Sequence, residues 1–409
     1  MEQEKSLSTP LQRITVVDAL RGFALLGVFI AHILQRFGLS SGQRQQLFPA
    51  WDEAIRQFSS NVISGKFIII FAFLFGLSFF IQMDRATQKG IDFRKRFLWR
   101  MVILFVIGIF GSCFYVNDVI PLYAMFGIVL VLLYRVNNWV LVALIFLLTA
   151  GAPRIIMTGY EHIVQTEQVE NVQQPTRGNQ RSAAGSSGQN IEKTTFMIDV
   201  KNKLTTGMQV KMNRELGFSG RGYPTMALFI FGFMVGRLRF FENVHIRKRK
   251  NIILFAGFVL AVILLNQLIT ILPTPSGGRG AANATPLSLT ISALNDFTRV
   301  MYAGALVMGF IILYHTKIIG KCLNILTPYG RMGLSNYEMQ NVLGCFIFSS
   351  WALGPIFGSW GTTEVFALGL LIYVLQIVVS KYWMKYFLYG PFEWFWRSAT
   401  YLKLQPFRR

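Results

Sequence analysis

Apolar residues come in long blocks separated by short polar connections, from Thr15 almost to the end of the chain. The blocks keep neither the alternation of a half-buried strand nor the two-faced rhythm of a soluble helix. They are apolar all round, as helices in lipid are. A spanning helix needs about 20 mostly apolar residues, and ten blocks approach that length: 14–37, 60–83, 97–116, 118–134, 138–153, 223–240, 251–272, 291–314, 333–352 and 363–385. The fourth and fifth are short and read either as two crossings or as a hairpin that stops short. The pattern predicts an all-α polytopic membrane protein of about ten transmembrane helices. A bundle over 1–153 precedes a large extracytoplasmic loop over 154–222. A second bundle with a basic tail follows over 223–409.

Loop charge gives the orientation, because connections rich in Lys and Arg stay in the cytoplasm. Connection 84–100 carries Arg85, Lys89, Arg94, Lys95, Arg96 and Arg100. Residues 237–250 and the tail beyond 380 are equally basic. The alternate connections are poor in base: 38–58 has Arg44 and Arg56, 273–290 has only Arg279, and 352–362 has none. Ten crossings put every rich connection, and both termini, on the cytoplasmic side. Within 154–222 the stretch from Gln174 to Asn190 is Gly- and Ser-rich and reads as a flexible tether. The stretch after it mixes apolar and basic residues, as a helix lying along headgroups does.

Composition narrows the class further. Hydrophobic residues make up 53% and charged ones 14%, against roughly 25% charged in soluble domains, and mean hydropathy is +0.45. That excludes a soluble enzyme, a disordered chain and a coiled coil. The net charge of +21 suits anionic lipid as a partner. Nucleic acid is not expected, because no binding motif accompanies the charge. Cys113, Cys322 and Cys345 form no CxxC or Cys/His spacing, and His32, His162, His245 and His315 are scattered, so no metal is expected. The polar start runs into the first apolar block without a small-residue cleavage site, so that block reads as a retained helix. A homo-oligomer is compatible with the pattern.

Polar groups inside such blocks need a reason, since the bilayer penalises them. The first block carries Asp18, Arg21 and His32. At about 100° per residue all three fall on one stripe, with Arg21 about 16 Å from His32 along the axis. The stripe predicts a polar groove running from the cytoplasmic surface into the outer part of the membrane. The plainer readings are an i,i+3 ion pair at a helix start and a buried, hydrogen-bonded imidazole. Asp118, next to Asn117 and before Tyr123, lies at a depth like that of His32. It is a candidate to orient that ring, or an N-cap ahead of Pro121. Asn336 and Gln340, with Tyr337 and Asn341, give the ninth block two polar stripes. They line a pocket or bond between helices. Asp296 and Arg299 open the eighth block, as caps or as part of the same cavity.

RITVVDALRGFALLGVFIAH, KFIIIFAFLFG, NDVIPLYAMFG, GRMGLSNYEMQN and GPFEWFWRSATYLK, in this order and spacing, resemble the YeiB-like family of bacterial inner-membrane proteins, a domain of unknown function. The resemblance covers Arg13 to Lys403. That family in turn resembles transmembrane acyltransferases, among them lysosomal heparan acetyltransferase and bacterial sugar O-acetylases. In the O-acetylases the first span follows an Arg…Asp-x-Leu-Arg…His pattern, which Arg13, Asp18, Leu20, Arg21 and His32 match. The resemblance implies that His32 is the catalytic histidine and that Arg21 sits near an acyl-CoA entrance. The chain departs from its relatives in two ways. Many YeiB-like proteins have Asn in place of His32, and many relatives carry a histidine before the conserved Asp, where this chain reads GSCFYVNDV.

The expected activity is transfer of an acyl group from cytoplasmic acyl-CoA to a hydroxyl or amine on an extracytoplasmic acceptor, such as a glycan or lipid-linked molecule. Arg21 and Asp18, with Arg100 and Arg331, would form the CoA end. His32 and Asp118 would carry the chemistry. Tyr123, Asn336, Tyr337, Gln340, Asp296 and Arg299 would line the substrate pocket. A transporter or flippase of a lipid or metabolite is the main alternative, and a non-catalytic scaffold or sensor the other. No internal repeat supports transport.

Overall fold

The computed structural model describes residues 14–39, 47–171, 195–218, 220–242, 244–273 and 284–409. Arg13, Arg44, Arg279 and the tether 174–190 lie outside the described residues. Helices carry most of the described residues. The first five are α1 (Thr15–Leu34), α2 (Pro49–Phe58), α3 (Lys66–Thr87), α4 (Arg94–Phe114) and α5 (Ile120–Leu133). Then come α6 (Asn138–Thr149), α7 (Ala152–Asn171), α8 (Phe196–Asn202), α9 (Met208–Leu216) and α10 (Gly222–Arg237). The C-terminal part holds α11 (Lys248–Ile271), α12 (Pro286–Tyr314), α13 (Ile319–Asn324), α14 (Leu326–Arg331), α15 (Gly333–Phe348), α16 (Gly354–Phe357), α17 (Thr362–Tyr386) and α18 (Pro391–Tyr401).

Each of the ten apolar blocks is helical, but not all are long. Among the described residues, six helical segments have the length and hydropathy to cross a membrane: α1, the continuous run from α2 through α3, α4, α11, α12 and α17. A seventh is counted if α6 and the start of α7 form one span bent by 57°. The bend falls at Gly151, whose φ of +81° is easy only for glycine. α10 and α15 have 16 residues each, about 24 Å. Outward faces are apolar. Ile252, Ile253, Leu260, Ile263 and Leu264 of α11 and Leu371, Val374, Leu375 and Val379 of α17 are exposed. A water-soluble monomer does not present so much apolar surface. The fold is that of a helical membrane protein.

Helices from both sides of the 154–222 segment interleave. α3 packs most extensively on α10, and α1 lies against α14 and α17. Glycine makes the first contact close: a Cβ on Gly232 would strike the Phe73 backbone carbonyl, and one on Gly76 that of Phe229. Small residues let helix backbones approach in this way.

The basic connections gather at one end of the bundle. There Arg239 pairs with Asp84 at 3.3 Å, Arg237 donates to the Val136 carbonyl at 2.7 Å, and Trp99 Nε1 donates to the Ala399 carbonyl at 3.1 Å. At the other end Asp52 accepts from the Thr363 amide at 2.7 Å, capping α17. The segment α8–α9 also belongs to that end, but it does more than lie on a surface. Met197 and Ile198 face outward, yet Lys203 is buried and its Nζ donates to the Phe114 carbonyl (2.9 Å) and to Asp199 (2.7 Å). Trp351 Nε1 reaches the same Asp199 at 3.2 Å. A purely apolar-versus-basic pattern shows amphipathicity but not this inward lysine, which finds a carbonyl at the end of α4 rather than a headgroup.

Candidate functional site

α1 has a cavity at each end of its polar stripe. Near its start Asp18 is buried and Arg21 NH1 meets its carboxylate at 2.6 Å, while NH2 donates to Ser78 of α3. The ion pair expected at this helix start is therefore present, and it holds the guanidinium beside a cavity of about 240 Å³. Arg100 of α4 and Arg331 at the end of α14 line the same cavity, with Ser78, Glu393 and Trp396. The Arg100 guanidinium lies 3.7 Å from the Trp396 ring centroid, a cation–π contact. Trp396 Nε1 in turn donates to the Arg100 carbonyl at 2.8 Å. Three cations from three helices thus line one cavity. Asp18 supports one of them and does not line the cavity.

Glu393 and Trp396 were not singled out from the sequence. They belong to α18, in what reads as a basic tail. Glu393 accepts from the amides of Leu334 (2.7 Å) and Ser335 (3.1 Å) and from the Ser335 hydroxyl. It therefore caps the start of α15, where backbone N–H groups lack intrahelical partners. The signal was present as one acid among the aromatics of GPFEWFWRS.

The second cavity, about 280 Å³, is lined by His32, Tyr115, Asn117, Arg214, Arg221 and Arg299, among others. His32 is 7% exposed. Its ring lies 4.6 Å from that of Tyr115 between centroids, and among the described residues no hydrogen bond to the imidazole is found. Arg214 donates to Asn117 Oδ1 at 2.5 Å. Arg299 pairs at 3.1 Å with buried Asp296, which also holds Arg154 at 2.6 Å. Arg214, Glu215 and Arg221 come from the end of the 154–222 segment and were missed. Helical periodicity does not reveal which part of a loop folds back over the bundle. The scarcity of arginine in the other connections at this end was the available clue.

Asp118 does not touch His32. It is fully buried, and its Oδ1 accepts from the Ile120 amide at 2.9 Å, which ties down the first amide of α5 from the residue before the N-cap Val119. Its Oδ2 lies beside Glu338: a Cβ on Gly111 would collide with both carboxylates. Near them Lys211 of α9 is buried, and burial lowers its pKa from the usual range, opposed by Asp118. Asn336 and Gln340 line neither cavity. Asn336 Nδ2 donates to the Tyr329 carbonyl and to Ser380 Oγ, both at 3.0 Å. Gln340 Nε2 donates to the Tyr329 hydroxyl at 2.7 Å and to Gln376 at 2.9 Å. These are bonds between α14, α15 and α17, the bridging alternative that such polar stripes offer.

Tyr123 lines both cavities and is fixed by donating to the Ile68 carbonyl at 2.8 Å. Tyr337 lines the first and its hydroxyl accepts from the Val119 amide at 3.2 Å. An aromatic wall therefore separates an arginine-lined chamber from a histidine-lined one.

Residues 235–403 match the family described as "Protein of unknown function (DUF418)". Along nearly its whole length the chain is similar to "Uncharacterized protein YxaH" of Bacillus subtilis (strain 168), with 25% identity over 97% of this chain and 96% of that protein. It is likewise similar to "Uncharacterized protein YeiB" of Escherichia coli (strain K12), with 23% identity over 95% of this chain and 97% of that protein. The chain carries the YeiB-like domain of unknown function. A further relative, from Bacillus acidopullulyticus and named "Uncharacterized 39.9 kDa protein in amylase 3'region", is 25% identical over 97% of this chain and 96% of that protein. The family therefore agrees with the motif reading and assigns no activity.

Proposed function

We propose that the protein is a transmembrane acyltransferase of the bacterial cytoplasmic membrane, with about ten crossings and both termini inside. The clustering of the basic connections at one end of the bundle supports this orientation. So does the placement of base-poor connections at the other. The observation that carries the activity is the pair of chambers along α1, one with Arg21, Arg100 and Arg331 and the other with His32, meeting at Tyr123. Three guanidiniums suit the phosphates of acyl-CoA. A chamber of about 240 Å³ holds only part of that molecule, which leaves the nucleotide at the cytoplasmic mouth and only the thin pantetheine arm to pass the tyrosine wall.

In this reading His32 acts as general base. It takes the proton from an acceptor hydroxyl or amine in the second chamber. The freed lone pair attacks the thioester carbonyl, the C–S bond breaks, and CoA leaves as a thiolate that recovers the proton from the imidazolium. With no hydrogen bond to its ring among the described residues, the neutral imidazole of His32 keeps its lone pair for this step. Protein in nanodiscs, given radiolabelled acetyl-CoA and extracytoplasmic glycans or lipid-linked acceptors, is expected to transfer label. His32→Ala is expected to abolish transfer while CoA still binds, and Arg21→Ala to raise the KM for acetyl-CoA. Unchanged turnover in His32→Ala would exclude the mechanism.

Two chambers divided by an aromatic wall also suit a transporter that opens to each side in turn. Substrate movement into proteoliposomes without CoA would favour that reading.

A further inference from the structure

The His32 chamber has more positive charge than a neutral acceptor needs. Arg214, Arg221 and Arg299 reach it from three places in the chain: the end of α9, the start of α10 and the middle of α12. One acid, Glu215, lines it with them. Arg221 is exposed and forms no ion pair among the described residues. Glu215 pairs with Arg214 at 3.4 Å and Asp296 with both Arg299 at 3.1 Å and Arg154 at 2.6 Å, so two acids face four guanidiniums and the surplus positive charge suits an anion. Guanidiniums match the geometry of phosphate oxygens.

Part of the remaining wall is apolar (Val28, Ile63, Phe67, Ile69 and Leu122), beside the polar Gln35, Ser64, Asn117 and Thr225. The chain enters that wall directly from α2. Phe48, just before α2, and Trp51 and Phe58 within it are exposed, as aromatics at a bilayer interface are. A chamber with a cationic rim, a partly apolar wall and a helix with exposed aromatics beside it suits a headgroup that arrives along the membrane plane.

We propose that the second chamber binds the phosphate of an anionic lipid through Arg214, Arg221 and Arg299, with His32 beside it. As the acceptor site of acyl transfer this assignment rests on the function proposed above; as a phosphate site it does not.

The test therefore omits CoA. The full chain is purified in maltoside detergent, and its thermal unfolding is followed while dioctanoyl phosphatidic acid, dioctanoylglycerol or inorganic phosphate is titrated. Phosphatidic acid is expected to raise the unfolding temperature saturably and dioctanoylglycerol to leave it unchanged. Arg221→Gln and Arg299→Gln are each expected to weaken the apparent affinity about tenfold, the worth of one charge-assisted contact, with partial recovery in Arg299→Lys. The unliganded unfolding temperature reports folding of each variant. A response to inorganic phosphate that is weaker than to the lipid supports the lipid source, and an equal response replaces it with soluble phosphate. Equal shifts from phosphatidic acid and dioctanoylglycerol, or saturation unchanged in both glutamine variants, would overturn the site. A failure of acetyl transfer leaves this binding result standing, and the reverse also holds.

Discussion

Replacing Glu393 by alanine tests how the tail helix is tied to the bundle. The carboxylate accepts from two amides at the start of α15, at 2.7 and 3.1 Å, and from the Ser335 hydroxyl. Alanine leaves both amides without a partner. Each buried unsatisfied donor costs about 1–3 kcal/mol. Glu393 also borders the first cavity, so water can partly replace it, and the loss should be about 2–4 kcal/mol. Glutamine keeps one acceptor oxygen and the shape but loses the charge, so Glu393→Gln should cost about 1 kcal/mol. By size scaling, each kcal/mol lowers the unfolding temperature of a chain this long by roughly 1 °C. Both variants would be compared with wild type by tryptophan fluorescence in one detergent, with denaturant titration to obtain the free energy. If Glu393→Ala is as stable as wild type within about 0.5 kcal/mol, the carboxylate does not fasten α15, and the account of this end of the bundle fails.

Other expectations concern burial and close approach. Asp296→Ala, which leaves the Arg154 guanidinium buried without its 2.6 Å partner, should cost about 3–5 kcal/mol. The double variant Asp296→Leu with Arg154→Met should regain most of it, and denaturant titration of the set decides. Gly232→Val sets side-chain atoms against the Phe73 carbonyl and should abolish monodisperse elution in size-exclusion chromatography, whereas Gly257→Ala, with open space around it, should elute as wild type. Lys211 has a lowered pKa through burial, so the unfolded chain binds its proton more tightly than the folded one. Stability should then rise, relative to Lys211→Met, as pH climbs from that lowered value towards about 10.4. A flat difference between the two proteins over that window would show that Lys211 does not titrate in burial.

The apolar blocks made the helices legible because lipid imposes a simple rule on every spanning residue. Block ends were less so: α10 stops at Arg237, where the Arg side chain turns to carbonyls of the α5–α6 connection, a contact with no local signal. The α1 stripe was readable because it obeys helix geometry, and the two ends of that stripe do face different cavities. Arg100 and Arg331 could be proposed by charge and depth alone. For Asn336 and Gln340 the spacing suits a pocket and an interhelical ladder equally; it is the position of α17, with Gln376 and Ser380, that sets their bonds. Asp118 turned towards Glu338 and not His32 because Gly111 leaves room on that side, and one missing side chain on a neighbouring helix cannot be read from the residues around Asp118.

The helix α11 has only Asn251 fully buried, its amide donating to the Val244 carbonyl at 2.7 Å. Its company is α12 and whatever solvates the outside. Extraction chemistry therefore acts on this hairpin before it reaches the chambers. A short-chain surfactant that covers less of the helix should loosen α11 and α12 while the α1–α3–α10 centre holds, so preparations that look folded by spectroscopy can differ at this edge alone.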